Sequence, residues 1–230
     1  DGFSTSFFSN HKYDIIKCNG CSDGSDIKTS NSHSGYQKNK IEDIDGRIND
    51  LIADILLLAK LEVERHPDQW QSIDLVYIVE QIIHDAHFEQ QAQVIQLIHP
   101  QKACLVMAET KLLSSAFENL IRNALLHTSD NTQIEITIKE VDSDFAIIVR
   151  DHGPGVAEEH IEHLTQPFYR AEYARERVGQ NMKQQQSGGR GYGLGMAIAH
   201  RVIRSFDGQM AIRNHPEGGL EISCYLNRYY

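Results

Sequence analysis

From Ile41 onward, apolar residues recur in alternating steps of three and four: Ile41, Ile44, Ile48, Leu51, Ile55 and Leu58. That spacing keeps one helix face apolar for nearly three heptads and predicts a helix over 41–65. Ile52, Leu56 and Ala59 widen the stripe to what a four-helix bundle needs, and charged residues fill the opposite face. A single helix with such a seam needs a partner, so dimerisation through 41–65 is the expectation, set against packing on its own domain. His66-Pro67-Asp68 ends the helix. Residues 1–40 hold no sustained helical or strand period and are rich in Ser, Asn, Gly and Lys, so they read as irregular or disordered.

From about Trp70 the pattern predicts one α+β domain, 70–230. "DLVYIVEQIIHDAHFEQQA" and "ETKLLSSAFENLIRNALLH" are amphipathic helices, and "VIQLIH" and "ACLVM" are short strands. "QIEITIKE" and "FAIIVRD" form an antiparallel pair around Val141–Asp144. A short helix "AEEHIEHL", a polar segment, and a helix opened by Gly195 follow, before "QMAIRN" and "GLEISCYL" close the sheet through "HPEGG". Strands and helices do not alternate as βαβ, which disfavours a doubly wound parallel sheet. The expected architecture is a two-layer α/β sandwich, a mixed sheet against helices.

Charge narrows the partners. The chain of 230 residues carries a formal charge of −10, which excludes a broad nucleic-acid footprint and makes any phosphate site a local device. No apolar run approaches a membrane span, no signal-peptide pattern is present, and the chain starts at Asp1, as a piece of a longer protein would. The four cysteines are too few for a disulfide scaffold of this size. Cys18 and Cys21 form one C-x-x-C with His11 and His33 nearby, but a single pair is a weak zinc signal.

Three stretches carry candidate chemistry. In "ENLIRNALLH", Asn119, Asn123 and His127 stand four apart on one helix face, opposite the core stripe of Leu112, Leu113, Ala116, Phe117, Leu120 and Ala124. Carboxamide oxygens suit a hard cation that also holds phosphates, and solvated asparagines are the bland alternative. In "RDHGPGV", a strand runs into Asp151, and Gly153 and Gly155 flank Pro154 in a tight turn. A carboxylate there can accept from an exocyclic amine such as that of adenine. In "GGRGYGLG", the spacing of Gly189, Gly191, Gly193 and Gly195 fits neither the dinucleotide fingerprint nor a P-loop, and the run follows polar "QNMKQQQS" rather than a strand. It reads as a lid hinge opening into a helix N-terminus, with Arg170, Arg175, Arg177 and Arg190 supplying charge for a triphosphate.

Taken in this order, the motifs resemble the ATP-binding domain of sensor histidine kinases, which belongs with the gyrase, Hsp90 and MutL type of ATPase fold. Asn119 and Asn123 match the N box that carries Mg²⁺, and Asp151, Gly153 and Gly155 match the G1 box whose aspartate reads adenine. Pro167–Arg170 ("PFYR"), with Phe168 and Arg170, looks like the F box, and Gly191, Gly193 and Gly195, with Leu194 among them, look like the G2 box that ends the ATP lid. "INDLIADILLLAKLE" is similar to the second helix of the dimerisation and histidine-phosphotransfer bundle, which places that element at 41–66. "SAFENLIRNAL", "DHGPGV" and "PEGGLEI" are most similar to Cpx-type envelope-stress sensor kinases.

The resemblance implies binding of ATP and Mg²⁺, transfer of the γ-phosphoryl to a histidine, and onward passage to a response-regulator aspartate. It also implies a homodimer and a cytoplasmic region of a parent protein anchored in the inner membrane. Catalysis would rest on Asn119 and Asn123; the basic residue expected three positions on is Leu126, which implies either weaker phosphate binding or partial substitution by His127. Departures mark two alternatives. His11 is the candidate phosphoacceptor, yet Lys12 follows it where the family has an acid, and the proline is missing, so an ATP-binding module without an acceptor is the second reading. An anti-sigma-type serine kinase is the third, though that type lacks the helix over 41–65. The aspartate often seen before the N-box helix is Ala108-Glu109, and the proline expected after the last strand is Asn227.

Overall fold

The computed structural model describes residues 46, 48–62, 67–89, 94–128, 132–171 and 192–229. Helix α1 covers 48–62. A 3₁₀ turn, Pro67–Gln69, leads to strand β1 (Gln71–Asp74) and helix α2 (Leu75–Glu89). Asp74 sets that junction: its Oδ1 accepts from the N–H of Val76, a helix N-cap bond, and from the N–H of Cys104. Strands β2 (Val94–Ile98) and β3 (Leu105–Ala108) precede the long helix α3 (Thr110–His127). The hairpin β4 (Gln133–Val141) and β5 (Asp144–Arg150), the single turn α4 (Glu158–Ile161), helix α5 (Gly195–Ser205), and the hairpin β6 (Gln209–Asn214) and β7 (Leu220–Asn227) complete the order.

The large sheet runs β2-β4-β5-β7-β6, with β2 parallel to β4 and every other pair antiparallel. It is the mixed sheet expected. Strand β3 stands outside this sheet and pairs with β1, a four-residue strand absent from the periodicity reading. Alternation explains the layering. Ile134, Ile136 and Ile138 of β4 and Ile147 and Val149 of β5 face the helices and are buried. Leu113, Phe117 and Leu120 of α3 and Ile198, Val202 and Ile203 of α5 meet them. At about 25 cal/mol per Å² of apolar surface, this shared layer is the main stabilising term.

Helix α1 has two apolar sides. Leu58 is buried, and Leu51, Leu57 and Leu61 pack against the same core. Arg201 of α5 fastens this side, pairing with Glu62 (2.6 Å) and donating to the Leu58 carbonyl (3.3 Å). Burial raises the Asp54 carboxyl above its usual range, and Asp50 adds to the rise while Arg122 of α3 opposes it. Ile48, Ile52, Ile55 and Leu56 point the other way and are exposed. So the seam read from sequence is divided: Leu51 and Leu58 serve the chain's own core, and Ile48 and Ile55 remain open. Among the described residues no helix is long and apolar enough to cross a membrane.

Candidate functional site

Helix α3 is the spine of the site. Asn119 and Asn123 lie half-buried one turn apart on the face away from the core. The Asn119 amide donates to the Ser115 carbonyl one turn back (2.9 Å), which turns Oδ1 outward. There it meets the first residue of α5: a Cβ on Gly195 would stand 2.6 Å from that oxygen. The carboxamide of Asn123 makes no hydrogen bond among the described residues and is available. His127 ends the helix exposed, and its carbonyl borders the Asp151 turn, where a Cβ on Gly153 would come within 2.6 Å. One helix therefore touches both glycine-bearing stations, at its middle and at its end.

Asp151 is buried to 4 % exposure at the end of β5. Its Oδ1 accepts from the N–H of Gly153 (2.8 Å) and from the N–H of Leu220 on β7 (3.1 Å). Its own N–H donates to the Leu220 carbonyl (3.0 Å). Both bonds to the carboxylate converge on Oδ1, so Oδ2 keeps its acceptor capacity for a donor arriving from outside. Backbone donors satisfy the charge, which is how a carboxylate is tolerated at this depth.

The F-box-like and G2-like segments are stapled together. Phe168 sits at φ 64° and Gly193 at φ 74°. The Phe168 N–H donates to the Gly193 carbonyl (2.9 Å). A Cβ on Gly193 would stand 2.7 Å from the Tyr169 carbonyl, so this crossing needs glycine for both space and φ. Positive φ at an aromatic residue is strained backbone, and Phe168 is also 58 % exposed. Arg170 lies beside the same crossing, its Cγ 3.2 Å from the Gly193 Cβ position. Leu194 buries its side chain in the core, so only its main chain is left for a ligand. Gly195 then opens α5 against Asn119, and the first N–H groups of that helix have no partner within the helix. Gly191, His11, and the arginines at 175, 177 and 190 lie outside the described residues.

These parts can do specific chemistry. An acceptor oxygen on a buried carboxylate suits an exocyclic amine. A helix N-terminus suits a phosphate, and two neutral carboxamide oxygens beside it suit a hard cation shared with that phosphate. The Asn119 orientation fits Mg²⁺, because Ser115 occupies the amide nitrogen and leaves the oxygen free to ligate. No cluster of three or more His, Cys, Asp and Glu suited to a metal occurs among the described residues.

Sequence reasoning missed the support that the β6–β7 hairpin gives. Leu220 holds Asp151, a Cβ on Gly219 would overlap the Asp151 carbonyl at 1.8 Å, and Asn214 grips the loop after Gly155. The only sequence sign was the Gly218-Gly219 pair, read as a hairpin joint.

Comparison with known proteins gives the family and the fold. The family model for the histidine kinase-, DNA gyrase B- and HSP90-like ATPase matches residues 108–229. The sensor protein kinase PmrB of Pseudomonas aeruginosa is 30% identical over 181 residues, covering 78% of this chain and 35% of PmrB. The sensor histidine kinase CpxA of Escherichia coli is 28% identical over 208 residues, covering 90% of this chain and 43% of CpxA. The chain thus spans well under half the length of these relatives. Among solved structures, the Acinetobacter baumannii histidine kinase AdeS shares the fold with a TM-score of 0.62 at 18% identity, covering 89% of this chain and 88% of that one. Full-length ShkA in complex with AMPPNP does so with a TM-score of 0.68 at 18% identity, over 88% of this chain and 40% of that one. With more than half of its residues inside that family model, this chain belongs to the histidine kinase-, DNA gyrase B- and HSP90-like ATPase family.

Proposed function

We propose that the chain is the ATP-binding, phosphoryl-donating part of a sensor histidine kinase in a two-component system. The observation that carries this is the convergence on α3: Gly195 of the α5 N-terminus against Asn119, and Gly153 of the Asp151 turn against His127. Adenine would lie at Asp151 Oδ2, and the triphosphate would run along α3 toward the start of α5. Asn123 and Asn119 would hold Mg²⁺ on the phosphates, which supplies charge neutralisation during transfer. Arg170, beside the crossing of the two stapled segments, would add positive charge. A histidine nitrogen lone pair would form the P–N bond as the bond from the γ-phosphorus to the β,γ-bridging oxygen breaks. ADP would leave with the electron pair, and the phosphoryl group would pass on to a response-regulator aspartate.

Asn119 supports transfer over hydrolysis. The related ATPases carry a water-activating glutamate at that position, and a carboxamide cannot take the proton. Glu118 is exposed and lies about 100° around the helix. The exposed stripe Ile48, Ile52, Ile55 and Leu56 supports a homodimer through α1. The likeness to sensor kinases such as CpxA supports a cytoplasmic region of an inner-membrane protein. The second reading is an ATP-binding module without a working acceptor, favoured by Lys12 and the missing proline after His11.

Incubation with γ-labelled ATP and Mg²⁺ separates the two. Acid-labile label on the chain supports the kinase, and Mg²⁺-dependent ATP binding with no label supports the module. Asn123→Ala should weaken Mg²⁺-dependent ATP binding at least about tenfold. Unchanged binding would show that the cation and phosphates lie elsewhere.

A further inference from the structure

Asn214 ends β6, an edge strand of the large sheet, and its side chain leaves the sheet to hold a different segment. Its Oδ1 accepts from the Val156 N–H (2.9 Å), and its Nδ2 donates to the Val156 carbonyl (2.7 Å). A carboxamide that meets both polar groups of one residue pairs with it as a strand would, here across 58 positions of sequence. Nδ2 also donates to Glu158 Oε1 at the start of α4 (3.0 Å). The fit is close, since a Cβ on Gly155 would stand 2.6 Å from Asn214 Oδ1.

The other end of this clamp reaches Asp151. The main chain of Asn214 is in register with Leu220 on β7. Leu220 is one of the two donors to Asp151 Oδ1, and Gly153, inside the turn, is the other. Asp151 and Val156 are thus joined by two routes. One follows the turn 152–155, and the other passes through Leu220 and Asn214. That closed ring fixes where Oδ2 points.

We propose that Asn214 is a positioning residue for the base end of the nucleotide site: by clamping Val156 it holds the 152–155 turn against Asp151 and sets the preference for adenine over guanine nucleotides. The inference rests on the reading of Asp151 as the acceptor for adenine. Adenine presents an exocyclic amine where guanine presents a carbonyl oxygen. A carboxylate held in place accepts from the first and repels the second. Once the turn is loose, the carboxylate tilts or admits water, and the difference narrows.

The test is titration of ADP and of GDP into the full chain and into Asn214→Ala. ADP binding should weaken about tenfold with GDP binding little changed, so the ADP-to-GDP preference falls about tenfold. A side chain that only stabilised the fold would lower both affinities together, so an unchanged preference overturns the proposal. Arg213→Ala removes an ion pair to Glu221 in the same hairpin without touching the turn. It should keep the original preference, and an equal loss there also overturns the assignment. Where Asn214→Ala does not fold, Asn214→Asp serves: it keeps the acceptor for the Val156 N–H, loses both donor bonds and faces Glu158. It should lose the preference, and adding Glu158→Gln should restore part of it; a preference retained in Asn214→Asp overturns the proposal. If the unmodified chain binds no adenine nucleotide, the functional reading itself has failed. If it discriminates and both Asn214 variants discriminate equally, only the Asn214 assignment falls.

Discussion

Gly218 and Gly219 have similar backbone angles and opposite surroundings. Their φ values are 96° and 86°, a region that costs an L side chain about 1–2 kcal/mol. A Cβ on Gly218 would meet nothing within 4 Å, whereas one on Gly219 would overlap the Asp151 carbonyl at 1.8 Å. Gly218→Ala should therefore cost only the backbone term, about 1 kcal/mol. Gly219→Ala adds a collision with a main-chain atom that cannot rotate away, for about 3 kcal/mol or more in total. Thermal melts of the two variants should differ by roughly 4–8 °C or more, with Gly219→Ala the lower. The same comparison explains what could be read from sequence at this scale. Glycines at 153, 155, 193 and 195 were visible as site markers because close approach and positive φ leave few other residues possible. Asn214 was not visible, because an asparagine at a strand end is ordinary turn chemistry and its partner Val156 is remote in sequence.

At the scale of elements, α3 and α5 touch where Gly195 meets Asn119, and that contact separates binding from stability. Gly195→Ala places a methyl where Asn119 Oδ1 now stands, 2.6 Å from the ideal Cβ. The methyl displaces the end of a side chain, and alanine favours the helix over glycine by up to about 1 kcal/mol. The variant should melt at or above the original temperature while its Mg²⁺-dependent ATP affinity falls about tenfold or more, read by calorimetric titration and a melting curve together. Helices α2, α3 and α5 and the hairpins β4–β5 and β6–β7 were legible because each encodes its own period over enough residues. Strand β1 was not, since four residues, "QSID", carry too little alternation, and its pairing with β3 spans more than 30 positions. The parallel register of β2 on β4 is likewise a tertiary choice.

For the whole molecule, the two sides of α1 predict two separable phenotypes. Leu58 is 5 % exposed and Leu56 is 63 % exposed, two residues apart on one helix. Leu58→Ala should destabilise the chain by about 2–5 kcal/mol and leave self-association unchanged at temperatures where it stays folded. Leu56→Ala should leave stability within about 0.5 kcal/mol and weaken the proposed homodimer. Melting curves and sedimentation equilibrium on both variants check the pair of outcomes. Sequence alone merged these sides, because steps of three and four place residues on a helix face without saying which partner that face meets.

The Arg201 contacts give α1 a mechanical character. Arg201 ties the last turn of α1 to the helix whose first residue abuts Asn119. In engineering terms α1 is a shaft keyed to α5: a small twist along its axis passes through Arg201 to the helix that opens against Asn119. The key, a half-buried arginine on a mostly exposed glutamate, is weak enough to slip under modest torque.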